Sequence, residues 1–373
     1  LLAVLFLAVT VWNVKNAVAF SHDSAWCESR LLLQHIDPYH SGPAWLKIET
    51  EWGGDGLHYY SPASLVCLWP LAALDWTPAK MIWLFSKLCM TVYIFWMIRR
   101  RWLNRIPLDK FLVFSLLVYA SRPWREDIGD GQQTLFALGL FLMGYELALK
   151  KHPLWAAIAL QFSLLKWTFT LPGLLWMACL GLYAPVGLAL TLHGILIVFS
   201  STWLATTPWN LVTEYVHTLR NASALGDTDV NAVLSLYPRL WQSKALVLLF
   251  QAGTFVAMVR RVRRGDLDDL ATFSIFVIWT LLVVYHGEYD MLSFIFPLAL
   301  LFRDGIASKW HAALALALTG LCYAQIALYR LGWFSDYDRT IILQNFPTIL
   351  LMFVCMLSMP QRRPAAPVRG PAA

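Results

Sequence analysis

The chain has 373 residues, of which 58% are hydrophobic, 14% aromatic and 14% charged, with a formal net charge of +6. Soluble domains average about 45–50% apolar and about 25% charged, so a soluble enzyme, a disulfide scaffold and a disordered chain are all excluded. At about 20 residues per crossing, this apolar content fills about eleven spans of a hydrocarbon layer about 30 Å thick, and an all-α polytopic membrane protein is expected.

Apolar runs cover, in chain order, about residues 1–20, 79–98, 108–124, 132–149, 154–171, 172–183, 185–204, 244–259, 270–286, 288–302, 309–329 and 340–358. Ser61–Leu74 is a further run, bracketed by Pro62 and Pro70 and too short to cross straight. Together they predict about 11–13 transmembrane or re-entrant helices. Ala17-Val18-Ala19 matches a small-residue cleavage site, but Asn13, Lys15 and Asn16 interrupt the apolar region a signal peptide needs, so the first run is expected to be retained. Residues 1–358 read as one integral-membrane unit and 359–373, rich in Pro, Ala and Arg, as a disordered cytoplasmic tail.

Lys and Arg beside a membrane stay on its cytoplasmic side. The clusters are Arg99 to Arg101 with Arg105, Lys150 with Lys151, Arg260 to Arg264, Arg303 with Lys309, and the tail arginines. Placing all five inside requires Ser61–Leu74 to dip in and return and Pro172–Tyr183 to cross despite its length. Residues 21–78, 125–131, 205–243, about 287 and 330–339 then become the non-cytoplasmic loops. The same clustering argues against a nucleic-acid partner, since the cations follow topology and not one exposed face. The six cysteines are scattered and show no metal spacing.

In the first exported loop Asp23 stands at a membrane boundary, where it suits a general base on a sugar hydroxyl and equally a helix cap. Gln132 and Gln133 open a helix after Gly131, where free N–H groups favour an anion such as phosphate; Gln is also a tolerated first-turn residue. Lys166 lies inside an apolar stretch, which costs about 2.5–3.5 kcal/mol on insertion scales. It therefore pairs with a phosphate or carboxylate, or snorkels to the head groups. Tyr285 to Asp290 is a polar turn between two apolar runs; in it His286 suits a phosphate or sugar, and Glu288 and Asp290 suit hydroxyls. The loop after Thr206 opens with the spacing of a helix lying on the bilayer and carries Arg220 and Arg239 as candidate phosphate contacts, against a default of solvated loop charges. His193 and His311 are read as structural. There is no P-loop, dinucleotide fingerprint, HExxH or Gly-x-Ser-x-Gly.

In this order the features resemble the bacterial integral-membrane glycosyltransferases that use polyprenyl-phosphate sugars, the group typified by phosphatidylinositol-mannoside mannosyltransferases with the C-type glycosyltransferase fold. The resemblance rests on Asp23, Asp37-Pro38-Tyr39, Tyr59-Tyr60-Ser61-Pro62, Pro70-Leu71, Gly131-Gln132, Lys166, and His286 with Tyr289-Asp290. The chain departs from the family's pattern at Ser24, Thr134 and Trp167, where an aromatic residue, Asn and Pro are usual. Sugar and acceptor identity are left open by these departures.

The resemblance implies a multi-pass protein of the bacterial inner membrane without a cofactor or metal requirement. Its partners would be a polyprenyl-phosphate sugar donor, a lipid or glycan acceptor and membrane lipids. The implied reaction is an inverting, mannose-like hexosyl transfer at the non-cytoplasmic face. Asp23 would be the base, with Lys166, His286, Gln132, Arg220, Arg239 and Asp290 on donor phosphate or sugar. The rival readings are a transporter or flippase of a lipid-linked or small polar substrate and a non-catalytic assembly subunit.

Overall fold

The computed structural model describes residues 1–21, 24–39, 60–222, 230–235, 244–284, 288–324 and 337–359, and among these every regular element is helical. Helix α1 is Leu2–Phe20, followed by α2 (Ser24–Leu33), the short α3 (Pro62–Cys67) and α4 (Trp69–Ala72), and the long α5 (Trp76–Arg101). Next come α6 (Leu108–Tyr119), α7 (Arg122–Asp130), α8 (Thr134–Leu149), α9 (Pro153–Ser163), a 3-10 turn at Leu164–Lys166, α10 (Trp167–Cys179) and α11 (Tyr183–Trp203). The remainder is α12 (Pro208–Ala222), α13 (Val230–Ser235), α14 (Lys244–Arg263), α15 (Asp269–Val283), a 3-10 segment at Glu288–Phe294, α16 (Ile295–Asp304), α17 (Lys309–Thr319) with a π-turn at Gly320–Ala324, and α18 (Tyr337–Ser358).

Among the described residues five stretches are long and apolar enough to cross a membrane: Leu2–Ala19, Trp76–Arg101, Pro153–Cys179, Tyr183–Trp203 and Ala245–Arg263. Shorter apolar helices cover Thr134–Leu149, Asp269–Val283 and Asn345–Ser358. Backbone N–H and C=O groups have no partner in hydrocarbon, so a chain this apolar closes them within helices. Large apolar side chains such as Phe85 (68% exposed) and Leu249 (69%) cover the outside, as lipid-facing surfaces require. The chain is an all-α polytopic membrane protein.

Pro153–Cys179 has the length of one span but does not cross as one. Lys166 leaves the helical region at φ −113° and ψ 75°, and the Thr170 hydroxyl donates to the Ser163 carbonyl, seven residues back, at 2.6 Å. A straight helix rises about 10 Å over seven residues, so the chain reverses at Lys166. The aromatic contacts agree: Ser163 donates to Ala137 O near the start of α8, whereas Trp176 reaches Tyr145 near its end, with ring centroids 4.7 Å apart. The turn expected at residue 172 is thus displaced to 164–166, and Pro172 sits inside α10. Two further expectations shift. The run 108–124 breaks after Tyr119, and residues 122–130 form helix α7, not a loop.

Arg101, Arg261 and Arg303 gather at one end of the bundle, the basic face. Arg101 pairs with Glu146 at 3.4 Å and Asp269 at 2.7 Å, Arg303 with Asp268 at 2.7 Å, and Arg261 with Asp266 while donating to Leu357 O and Met359 O. These contacts bring α5, α8, α14, α15, α16 and α18 to a common level. At the opposite, far face α2 rests on α3 and α4 through Trp26 Nε1 to Leu71 O at 3.1 Å and Ser29 Oγ to Leu65 O. At six and four residues, α3 and α4 are too short to cross a membrane. Helix α12 buries Leu211 and leaves Trp209 77% exposed, the one-sided pattern expected of a helix lying on the bilayer. Of the tail 359–373, only Met359 lies within the described residues.

Small residues set the spacing inside. A Cβ on Gly144 would stand 2.7 Å from Leu160 Cγ, and one on Gly173 would stand 2.5 Å from the Phe141 ring. Such close approach gains van der Waals contact where no hydrophobic effect drives helices together in lipid. It fixes α9 and α10 against α8, and with them the tip that carries Lys166.

Candidate functional site

The tip of the α9–α10 hairpin meets the start of α8 and the Glu288–Phe294 segment in a buried polar cluster. Lys166 Nζ lies 3.6 Å from Asp290 Oδ1, with side-chain exposures of 9% and 0%. The same oxygen accepts the Thr134 hydroxyl at 2.5 Å, and Ser293 Oγ donates to Asp290 O at 2.9 Å. Of the pairings expected for Lys166, the structure displays the carboxylate one.

A second ion pair lies beside it. Lys87 Nζ of α5 stands 3.1 Å from Asp127 Oδ1 of α7, both side chains fully buried, and also donates to the Asp127 carbonyl. Asp127 Oδ2 accepts the Leu135 N–H at 3.1 Å, so its carboxylate caps the first turn of α8. The Asp127 carbonyl also accepts Gln132 N–H at 3.1 Å, and Trp83 Nε1 donates to Gly131 O at 2.8 Å. Gly131 has φ +82°, the left-handed conformation that ends α7 and that glycine adopts without strain. Gln132 is half-buried in this turn, and Gln133 is the residue before α8.

The cluster's depth follows from helix geometry. From Lys87 to Arg101 is 14 residues of α5, about 21 Å, so both pairs lie about two-thirds of the way through a layer about 30 Å thick. Isolated charges at that depth are costly, and here two lysines and two aspartates neutralise one another.

A polar thread joins the hairpin to the far-face helices. Ser64 Oγ donates to Leu164 O at 3.0 Å, Ser61 Oγ lies 3.2 Å from His193 Nε2, and His193 Nδ1 lies 3.1 Å from Gln161 Oε1. Above it, Glu28 is fully buried, and the Tyr39 hydroxyl donates to Tyr60 O at 2.6 Å. Burial first, then the negative field of Glu28, Tyr215 and Asp37, pushes the Tyr39 phenol well above its ordinary pKa. A small apolar cleft opens between the end of α1 and α5, walled by Trp26, Trp76 and Trp83 with Lys80 at its edge. Another runs beside the Asp290 segment between Val118, Met291, Ile295, Leu298 and Leu318.

Among the expected site residues, Lys166 and Asp290 come into contact, and Gln132 lies in the turn preceding Thr134, which donates to Asp290. Asp23, His286 and Arg239 lie outside the described residues, and of Arg220 only the backbone, in α12, is described. Lys87 and Asp127 were missed by sequence reasoning, although Lys87 interrupts the run 79–98 just as Lys166 interrupts its own. His193, read as structural, hydrogen-bonds on both ring nitrogens. Among the described residues no three His, Cys, Asp or Glu side chains are grouped to hold a metal ion.

Neither the curated proteins nor the solved structures contain a match to the chain. Residues 58–284, more than half of the chain, match the family model of glycosyltransferase family 87. This stretch contains α3 to α15, both partners of the Lys87–Asp127 pair, and Thr134 and Lys166. A glycosyltransferase assignment agrees with the resemblance carried by the ordered motifs, and the chain belongs to glycosyltransferase family 87, as a membrane-embedded enzyme.

Proposed function

We propose that the chain moves a hexose, mannose-like, from a polyprenyl-phosphate donor to a lipid or glycan acceptor at the non-cytoplasmic face of a bacterial inner membrane, with inversion. The observation that carries this reading is the Lys166–Asp290–Thr134 cluster, a charged group held at the tip of a helical hairpin inside an apolar bundle that belongs to a glycosyltransferase family. The positive-inside rule puts the arginine layer in the cytoplasm, which turns the far face and its loops outward.

In this mechanism the carboxylate of Asp23 takes the proton from the acceptor hydroxyl as its oxygen attacks the anomeric carbon. The bond from that carbon to the phosphate oxygen breaks, and the polyprenyl phosphate leaves with the electron pair. The leaving group is already an anion, so fixed positive charge stabilises it. An ammonium has three donors, so Lys166 can keep Asp290 on one and offer the others to the phosphate. Asp290 and Thr134 hold Lys166 in place, Gln132 presents its amide to the sugar or phosphate, and His286, Arg220 and Arg239 add donors from the loops.

The test incubates purified protein in nanodiscs with radiolabelled polyprenyl-phosphate mannose, and separately the glucose form, plus a bacterial lipid extract. New labelled glycolipid is the expected result, with Asp23→Asn lowering its rate by about 10²–10⁴-fold. Full activity in Asp23→Asn removes the proposed base. Movement of the donor across vesicles without product supports a flippase instead.

A further inference from the structure

The Lys87–Asp127 pair has no part in the reaction just described, yet it is the more deeply buried of the two pairs. A buried ion pair gives little or no stability over apolar residues of the same size, because both charges are stripped of water. Its links lead towards the site. Asp127 receives Lys87 on one carboxylate oxygen and the Leu135 N–H on the other, and its carbonyl holds Gln132 N–H and Lys87. The turn from Gly131 to Leu135 is therefore tied at two points to one residue, with Trp83 fastening Gly131. Thr134, inside that turn, donates to Asp290, which faces Lys166.

We propose that Lys87 and Asp127 are positioning residues for glycosyl transfer: together they fix the 131–135 turn and, through Thr134 and Asp290, set where the Lys166 ammonium stands. The inference rests on the reading of Lys166 as the group that meets the donor phosphate. A displacement of about 1 Å in a reacting group costs about 10²-fold in rate. Three linked hydrogen-bonding partners stand between Asp127 and Lys166, so loosening the first is sufficient to shift the last.

The experiment compares the double variant Lys87→Met with Asp127→Leu, which removes both charges and leaves none uncompensated, with wild type in nanodiscs. Hydrogen exchange followed by mass spectrometry reads the turn itself: amides 132–135 should exchange at least tenfold faster, while those in the lower half of α8 keep their rates. In the transfer assay with polyprenyl-phosphate mannose, kcat should fall about 10²-fold with the donor KM within threefold. Adding Lys166→Met to the double variant should cost little beyond Lys166→Met alone, because the pair acts through Lys166. Thr134→Val, which cuts only the downstream link, should show the same loss of kcat with exchange at 132–133 unchanged; it serves where the double variant does not fold.

Unchanged exchange in the turn overturns the proposal, as does kcat within threefold of wild type or a loss that multiplies with that of Lys166→Met. A wild-type protein that transfers no sugar counts against the proposed function alone, because the exchange measurement still decides whether the pair fixes the turn.

Discussion

Asp290→Ala tests the energetic logic of the cluster directly. Its carboxylate is fully buried, 3.6 Å from a Lys166 ammonium whose side chain is 9% exposed. Removing it takes away the carboxylate that faces the Lys166 ammonium in an apolar interior, and breaking one partner of such a pair costs about 3–5 kcal/mol. Larger domains shift their midpoint by about 2 °C per kcal/mol, so Asp290→Ala should unfold about 6–10 °C below wild type in the same detergent at the same scan rate. The double variant Lys166→Met with Asp290→Leu removes both charges and roughly keeps the volume, so it should recover most of the lost midpoint. Thermal unfolding followed by a thiol-reactive dye on the buried cysteines reads both. A double variant as unstable as Asp290→Ala, or an Asp290→Ala that melts with wild type, refutes the claim that the carboxylate neutralises a buried ammonium.

Other perturbations probe the frame around the site. Gly144→Leu sets a side chain against Leu160, whose Cγ already lies 2.7 Å from the nearest Cβ position; overpacking of this kind costs about 1–3 kcal/mol, lowering the midpoint, and the splayed hairpin should lose transfer activity more than stability. Arg101→Ala unties α5 from α8 and α15 on the basic face; a loss of about 1–2 kcal/mol is expected from the two pairs together, and 0.5 M salt should narrow its gap to wild type in a thermal melt. Tyr39→Phe removes the hydrogen bond donated to Tyr60 O, at about 0.5–1.5 kcal/mol. The Tyr39 phenol is held protonated by burial and by the nearby carboxylates, so the stability it contributes is complete below the unfolded phenol pKa of about 10 and declines as pH climbs beyond it. The midpoint gap between wild type and Tyr39→Phe should therefore shrink between pH 9 and 11, and a gap that widens contradicts the assignment.

Much of the topology was legible because lipid imposes one local rule on every span. Apolar runs placed α1, α5, α8, α11 and α14 to within a few residues, and the Lys and Arg clusters put the Arg101 end of α5, the Lys150 end of α8 and the Arg261 end of α14 on a common face. Two prolines in fourteen residues sufficed to predict that 61–74 does not cross straight. Pattern failed where a helix ends inside an apolar stretch: nothing in the hydropathy of 154–171 distinguishes a turn at Lys166 from one at Pro172, because both flanks are equally apolar. Arg122–Asp130 was read as a loop on its polarity, yet it is a helix whose buried face contains Trp124, Asp127 and Ile128.

The site divides along the same line. That Lys166 requires a partner follows from its sequence context alone, because a charge in an apolar run must be paired or reach water, and the same rule applied to Lys87 predicts a second pair. Which carboxylates answer them does not follow from the sequence. Asp127 and Asp290 are 40 and 124 residues away from their lysines, and both belonged to segments read as exported turns. The folded bundle brings those segments to the lysines: α7 sets Asp127 against Lys87 of α5, and the 288–294 segment sets Asp290 between Thr134 and Lys166. Membrane placement is a property of each segment against lipid, so it can be read one segment at a time. The pairing of buried charges depends on how helices approach one another, and that is decided by the folded bundle as a whole.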